Sequence, residues 1–111
     1  MAVKTWHKLV RDKVCEGLEK RGVQCETRIL SKEELKEHLL LKLIEEANEC
    51  RIAGPELDDE LADVLEVVDA IIAVKPGITM DHVRARQAQK RMFKGGFEQG
   101  VFLLTTEESD E

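Results

Sequence analysis

The chain has 111 residues, 36% of them charged and 4% aromatic, with a net charge of −6; one domain of this size buries a modest core, and the composition suits helices better than a sandwich or barrel. No apolar run reaches the roughly 18 residues of a membrane span and the N-terminus lacks the pattern of a secretory signal, so the chain reads as cytoplasmic. Cys15, Cys25 and Cys50 have neither the number nor the spacing of a disulfide framework or a zinc site, and read as reduced, mostly buried thiols.

The charge is unevenly placed. Residues 31–69 carry thirteen acids against four bases, whereas residues 79–94 carry five bases against one acid, and the first thirty residues are net basic. An acidic chain is a poor binder of bulk nucleic acid. Local basic segments around an acidic centre suit a small ligand that is itself anionic and metal-bound.

In chain order, residues 1–10 lack a helical period and read as an arm ending at Arg11-Asp12-Lys13. Asp12 can cap a short amphipathic helix through Val14, Cys15 and Leu18 that stops near Gly22. Residues 24–30 alternate weakly and predict a short strand. Ser31 with Glu34 three residues on is a capping box that starts the longest helix, running to about residue 53. Its apolar seam is Leu39, Leu43, Cys50 and Ala53, and the missing member of that seam is Glu46.

Gly54 ends this helix, and Pro55 fits the first turn of the next, where its absent N–H is not needed. That second helix, residues 55–75, is apolar on nearly every side and reads as the central rod. Pro76-Gly77 closes it, and Thr79 caps a third helix to about Phe93. Lys94 to Phe97 form a turn, and residues 101–104 predict a second strand, paired with 25–30 in a small sheet. The expected architecture is all-α, a bundle of three to four helices built on a long antiparallel hairpin. Residues 1–106 form a single domain, followed by an acidic tail at 107–111 expected to be disordered.

The hairpin concentrates acid. Glu46 and Glu49 are three apart, as are Glu60 and Asp63, and folding back at Gly54-Pro55 sets Glu49 opposite Glu60 and Glu46 opposite Asp63. Two carboxylates about 5 Å apart repel by roughly 3 kcal/mol at an effective dielectric near 20. A hard divalent cation with oxygen ligands is the natural occupant of such a cluster; the competing reading is a set of acidic faces neutralised by Arg84, Lys90 or Arg91.

Glu45-Glu46-x-x-Glu49 followed by Glu60-x-x-Asp63 resembles the signature of the MazG-type all-α nucleoside-triphosphate pyrophosphohydrolases. Lys8-Leu9-Val10-Arg11-Asp12-Lys13 and Lys94-Gly95-Gly96-Phe97 with Val101-Phe102-Leu103 resemble the opening and close of a short single-domain branch, so the likeness spans almost the whole chain. The interval between the acidic pairs is shorter than in many members, which bears on loop length and substrate access.

The resemblance implies an enzyme that hydrolyses a nucleoside triphosphate between its α and β phosphates, in nucleotide-pool house-cleaning, with Mg²⁺, or alternatively Mn²⁺, as cofactor. It makes Glu46, Glu49, Glu60 and Asp63 metal ligands, with Glu46 also counted in the catalytic centre. Glu45, turned by about 100° on the helix, becomes a second-metal ligand or the base for the attacking water. Arg11, Lys13, Lys90, Arg91 and Lys94 are candidates for the phosphate tail, set against ordinary solvated charge. Trp6 reads as a packing anchor or a base-stacking ring; His7, His38 and His82 show no partner spacing, and Asn48 is a helix amide that could reach sugar or base. Self-association as a dimer or dimer of dimers is expected from the apolar second helix and from the resemblance. The alternatives are phosphoribosyl-ATP hydrolysis and a non-catalytic helical interaction module.

Overall fold

The computed structural model describes residues 2–110. Among them are helices α1 (Val14–Lys20), α2 (Lys32–Ile52), α3 (Leu57–Val74) and α4 (Met80–Lys94), with a 3₁₀ turn at Gly54–Glu56. The all-α class fits, and none of the helices is long and apolar enough to cross a membrane. The chain divides into two compact units, one ending at Ile78 and the other starting at Thr79.

In the first unit, α1 opens from Lys13 without a side-chain cap, so Asp12 does not fill the predicted role. The turn is made by the backbone instead: Val14 N–H donates to the Arg11 carbonyl at 3.1 Å. The helix closes as the sequence predicts. Gly22 takes φ +85°, and the N–H groups of Gly22 and Val23 donate to the carbonyls of Glu19 and Leu18 at 3.0 and 3.1 Å. This paired closure satisfies two orphan carbonyls and turns the chain back along the helix. Only a residue without a Cβ takes that backbone angle cheaply.

The capping box at the start of α2 is formed on both sides. Glu34 N–H donates to Ser31 Oγ at 3.2 Å, and Ser31 N–H donates to Glu34 Oε1 at 3.1 Å. Arg28 adds a two-pronged grip on the same carboxylate, at 2.8 and 3.3 Å. That guanidinium first, and then the Ser31 backbone, hold the Glu34 pKa down to about 2.

Gly54, at φ +57°, stops α2, and the 3₁₀ turn carrying Pro55 feeds directly into α3. Helices α2 and α3 pack as a hairpin. The core of the described residues is Leu39 at 5% exposure and Val67 at 8%, and the third buried residue is Glu46. Leu43, Cys50 and Ala53 of the predicted seam are half-buried.

No strand forms among the described residues, so the small sheet expected from residues 25–30 and 101–104 is absent. The physical reason is that alternation alone gives a strand no ladder to join. Ile29 is 94% exposed, and Arg28 is spent on Glu34. Residues 101–104 are likewise fully solvated and irregular. Trp6 is no packing anchor either: it is exposed, with the Lys4 and Lys8 ammonium groups 4.2 and 5.0 Å from its ring centre, cation–π distances.

In the second unit, Thr79 caps α4 by accepting from His82 N–H at 3.1 Å. Every residue from 81 to 110 is exposed. Arg84 and Arg86 donate to Gln87 and Gln89 one turn on, at 2.9 and 3.3 Å. Gly95, with φ +78°, ends the helix.

Candidate metal site in the helical hairpin

Three of the four predicted ligands come together. One carboxylate oxygen each from Glu46 on α2 and from Glu60 and Asp63 on α3 lie within 4.8 Å of one another. The arrangement follows from helix periodicity. Residues 60 and 63 share a face because they are three apart, and the tight 54–56 turn leaves α3 facing the stripe of α2 that carries Leu39, Leu43 and Glu46. Glu46 is 8% exposed, whereas Glu60 and Asp63 are half-buried.

Glu49 is exposed and lies outside this group, yet its charge reaches Glu60. Desolvation first, then the charges of Asp63, Glu46, Glu49 and Glu56, raise the Glu60 pKa above the ordinary glutamate value. The same field acts on Cys50, a member of the apolar seam of α2. Burial, followed by the charges of Glu60, Glu46 and Asp63, raises the Cys50 pKa.

The cluster is flanked by cations. Arg11 donates to Asp63 Oδ1 at 2.6 Å, Lys42 Nζ lies 3.3 Å from Glu45 and 3.5 Å from Glu46, and Lys8 Nζ lies 3.9 Å from Glu45. Lys42 stands four residues before Glu46, the spacing at which helical side chains meet, and could have been read from that spacing. Lys8 could not, because its partner is 37 positions away on another element.

The remaining candidates are placed as follows. Glu45 is half-buried and held by Lys42 and Lys8. Lys13 is the exposed N-cap of α1. Lys90, Arg91 and Lys94 are exposed on α4, and Arg91 is paired with Glu98, whose pKa it lowers. His7 and His82 are exposed, His38 is half-buried, and Asn48 is exposed on α2.

Three hard oxygen donors from two helices, one of them almost closed to water, match the donor preference of Mg²⁺ or Mn²⁺. Cys50 is not one of the three donors, so the set is all oxygen. Chemically, the arrangement offers acceptor oxygens at its centre and three cationic side chains at its edge. No protein-family model, curated protein or solved structure matches the chain.

Proposed function

We propose that this protein is a Mg²⁺-dependent nucleoside-triphosphate pyrophosphohydrolase. It would cleave between the α and β phosphates to release a nucleoside monophosphate and pyrophosphate. The observation that carries the reading is Glu46, a carboxylate 8% exposed in the apolar seam of α2, with Glu60 and Asp63 converging on it. Burying a carboxylate is expensive unless something positive completes the site. The sequence resemblance to MazG-type enzymes names the chemistry that such a site serves.

In this reading Glu46, Glu60 and Asp63 hold the cation, and Glu49 at the exposed edge is the fourth candidate ligand. The bound cation supplies neutralisation of phosphate charge and acidifies a bound water. Arg11 is poised to exchange Asp63 for a phosphate oxygen, since its guanidinium fork suits either partner. Lys42 and Lys8 offset the charge of Glu45, whose carboxylate is the proposed acceptor of the proton lost by the attacking water. Lys13 is a further proposed phosphate contact, and Lys90, Arg91 and Lys94 belong to the other unit.

Self-association belongs to the same proposal. Leu57, Leu61 and Leu65 form an exposed apolar ridge at four-residue steps on α3, and Leu40, Leu41 and Ile44 are exposed on α2. Covering such a ridge with a second copy, as a dimer or dimer of dimers, removes it from water. A cytoplasmic place follows from a nucleotide substrate.

One observation favours a non-catalytic helical module: Arg11 and Lys42 already pair with Asp63 and Glu46 within the fold. The deciding experiment incubates the protein with Mg²⁺ and a panel of nucleoside triphosphates and phosphoribosyl-ATP while pyrophosphate is followed. Release is expected from the wild type. Loss of several kcal/mol of transition-state stabilisation, at least about a hundredfold in rate, is expected in Glu46→Ala and Asp63→Ala. Equal background in all three proteins sinks the enzyme reading, and orthophosphate in place of pyrophosphate moves the cleavage point.

A further inference from the structure

Away from the acidic cluster, the segment from Arg11 to Ile29 contains three residues that are not exposed: Cys15, Leu18 and Cys25. Their meeting is a consequence of the closure of α1. Val23 N–H is bonded to the Leu18 carbonyl, so the returning chain starts level with Leu18. From there Cys25 lies two residues on, at most about 7 Å of chain. Cys15 lies three residues back along the helix, about 4.5 Å of rise. Both thiols therefore lie close to the α1 closure, where the Cys15 side chain comes within hydrogen-bonding reach of Cys25. The composition predicts reduced, mostly buried thiols; both are free and half-buried, within reach of a small reagent.

The structure assigns Cys15 and Cys25 as a thiol–disulfide modification site, a pair that closes reversibly into an intramolecular disulfide on the hairpin that presents Arg11 to Asp63. The Cys15 side chain, chiefly by hydrogen bonding, and then burial, raise the Cys25 pKa, so Cys25 keeps its proton longer. Cys15 is accordingly the attacking sulfur. The oxidant is a low-molecular-weight disulfide. Cys15 thiolate attacks one of its sulfurs, forming a mixed disulfide and expelling one thiolate. Cys25 then gives up its proton and attacks the Cys15 sulfur, forming the internal bond and expelling the second thiolate. One disulfide is consumed and one formed, two protein thiols are oxidised, and two small thiols are released. Cys50, on α2 and without a facing thiol, stays reduced.

The test is to treat the native 111-residue chain with oxidised glutathione, block free thiols, digest without reduction and map the links by mass spectrometry. The expected product joins the Cys15 and Cys25 peptides, exceeds any adduct at Cys50 by about tenfold as the effective concentration of the pair dictates, and disappears with a thiol reductant. In Cys15→Ser and Cys25→Ser the surviving thiol stops at the glutathione adduct. Persistent glutathione adducts on both cysteines of the wild type, or a link that forms only in denaturant, would overturn the assignment.

Discussion

The α2–α3 hairpin and the unit that begins at Thr79 each contain a helix with a side-chain cap, but they treat their side chains differently. The hairpin contains all three buried residues among those described, and one of them is a carboxylate. Helix α4 buries none of its side chains: Met92 and Phe93 are 81% and 78% exposed, and its arginines lie among solvated glutamines. Caps and propensity are enough to make a helix, whereas burial needs a partner face. The 54–56 turn delivers such a face to α2 within a few residues. The contrast also separates two kinds of charge. Lys42 and Glu46 are fixed in a desolvated seam, and the α4 cations sit on a solvated surface.

The largest test of this contrast is truncation of apolar side chains in the two regions. Leu39→Ala removes a buried side chain and is expected to cost roughly 2–5 kcal/mol in urea unfolding. Met92→Ala is expected to stay within about 0.5 kcal/mol at low protein concentration. A Met92→Ala loss as large as that of Leu39→Ala, growing with protein concentration, would break the contrast by showing α4 buried between copies.

A smaller effect sharpens it. Ser31→Ala removes a cap from a helix that carries the core and is expected to lower global stability by about 1 kcal/mol. Thr79→Ala removes the equivalent cap from α4. It is expected to fray that helix, seen as reduced amide protection in its first turn, with no change in the unfolding midpoint.

The smallest effect is a dependence on pH. Because the folded Glu60 pKa lies above its ordinary value of 4.5, the folded state holds its proton more tightly, and stability falls as pH rises through the window above 4.5. Glu60→Gln is therefore expected to melt higher than wild type at neutral pH without metal, and the gain should vanish below 4.5. Glu34 runs the other way. Its pKa is lowered to about 2, so its contribution is present above 4.5 and is lost as pH falls toward 2. A Glu60→Gln gain that persisted at low pH would show packing, and not charge, as its source.

Much of the candidate site could be read from residues. The three-residue spacing on each arm and the Gly54-Pro55 break put Glu46, Glu60 and Asp63 on facing stripes, and helix geometry did the rest. The caps at Ser31 and Thr79 and the closure at Gly22 were legible because they depend on neighbours within a turn. The strand at 25–30 was misread because a strand exists only with a partner, which local alternation does not report. Arg11 was picked out as a phosphate contact, but its pairing with Asp63, 52 positions away, is a tertiary fact. So is the meeting of Cys15 with Cys25, which rests on the direction in which the chain leaves α1.

By itself, then, the sequence determined the helices, their ends, the hairpin and the stripe of acid along it, because each is set by interactions spanning a turn or two of chain. Tertiary structure decided which of those acids are desolvated, which cations answer them and which thiols face each other. Glu46 loses its water while Glu49, one turn away on the same helix, keeps it. The difference is that α3 covers one side of α2, and only side chains on that side feel the low dielectric that makes a carboxylate costly to bury.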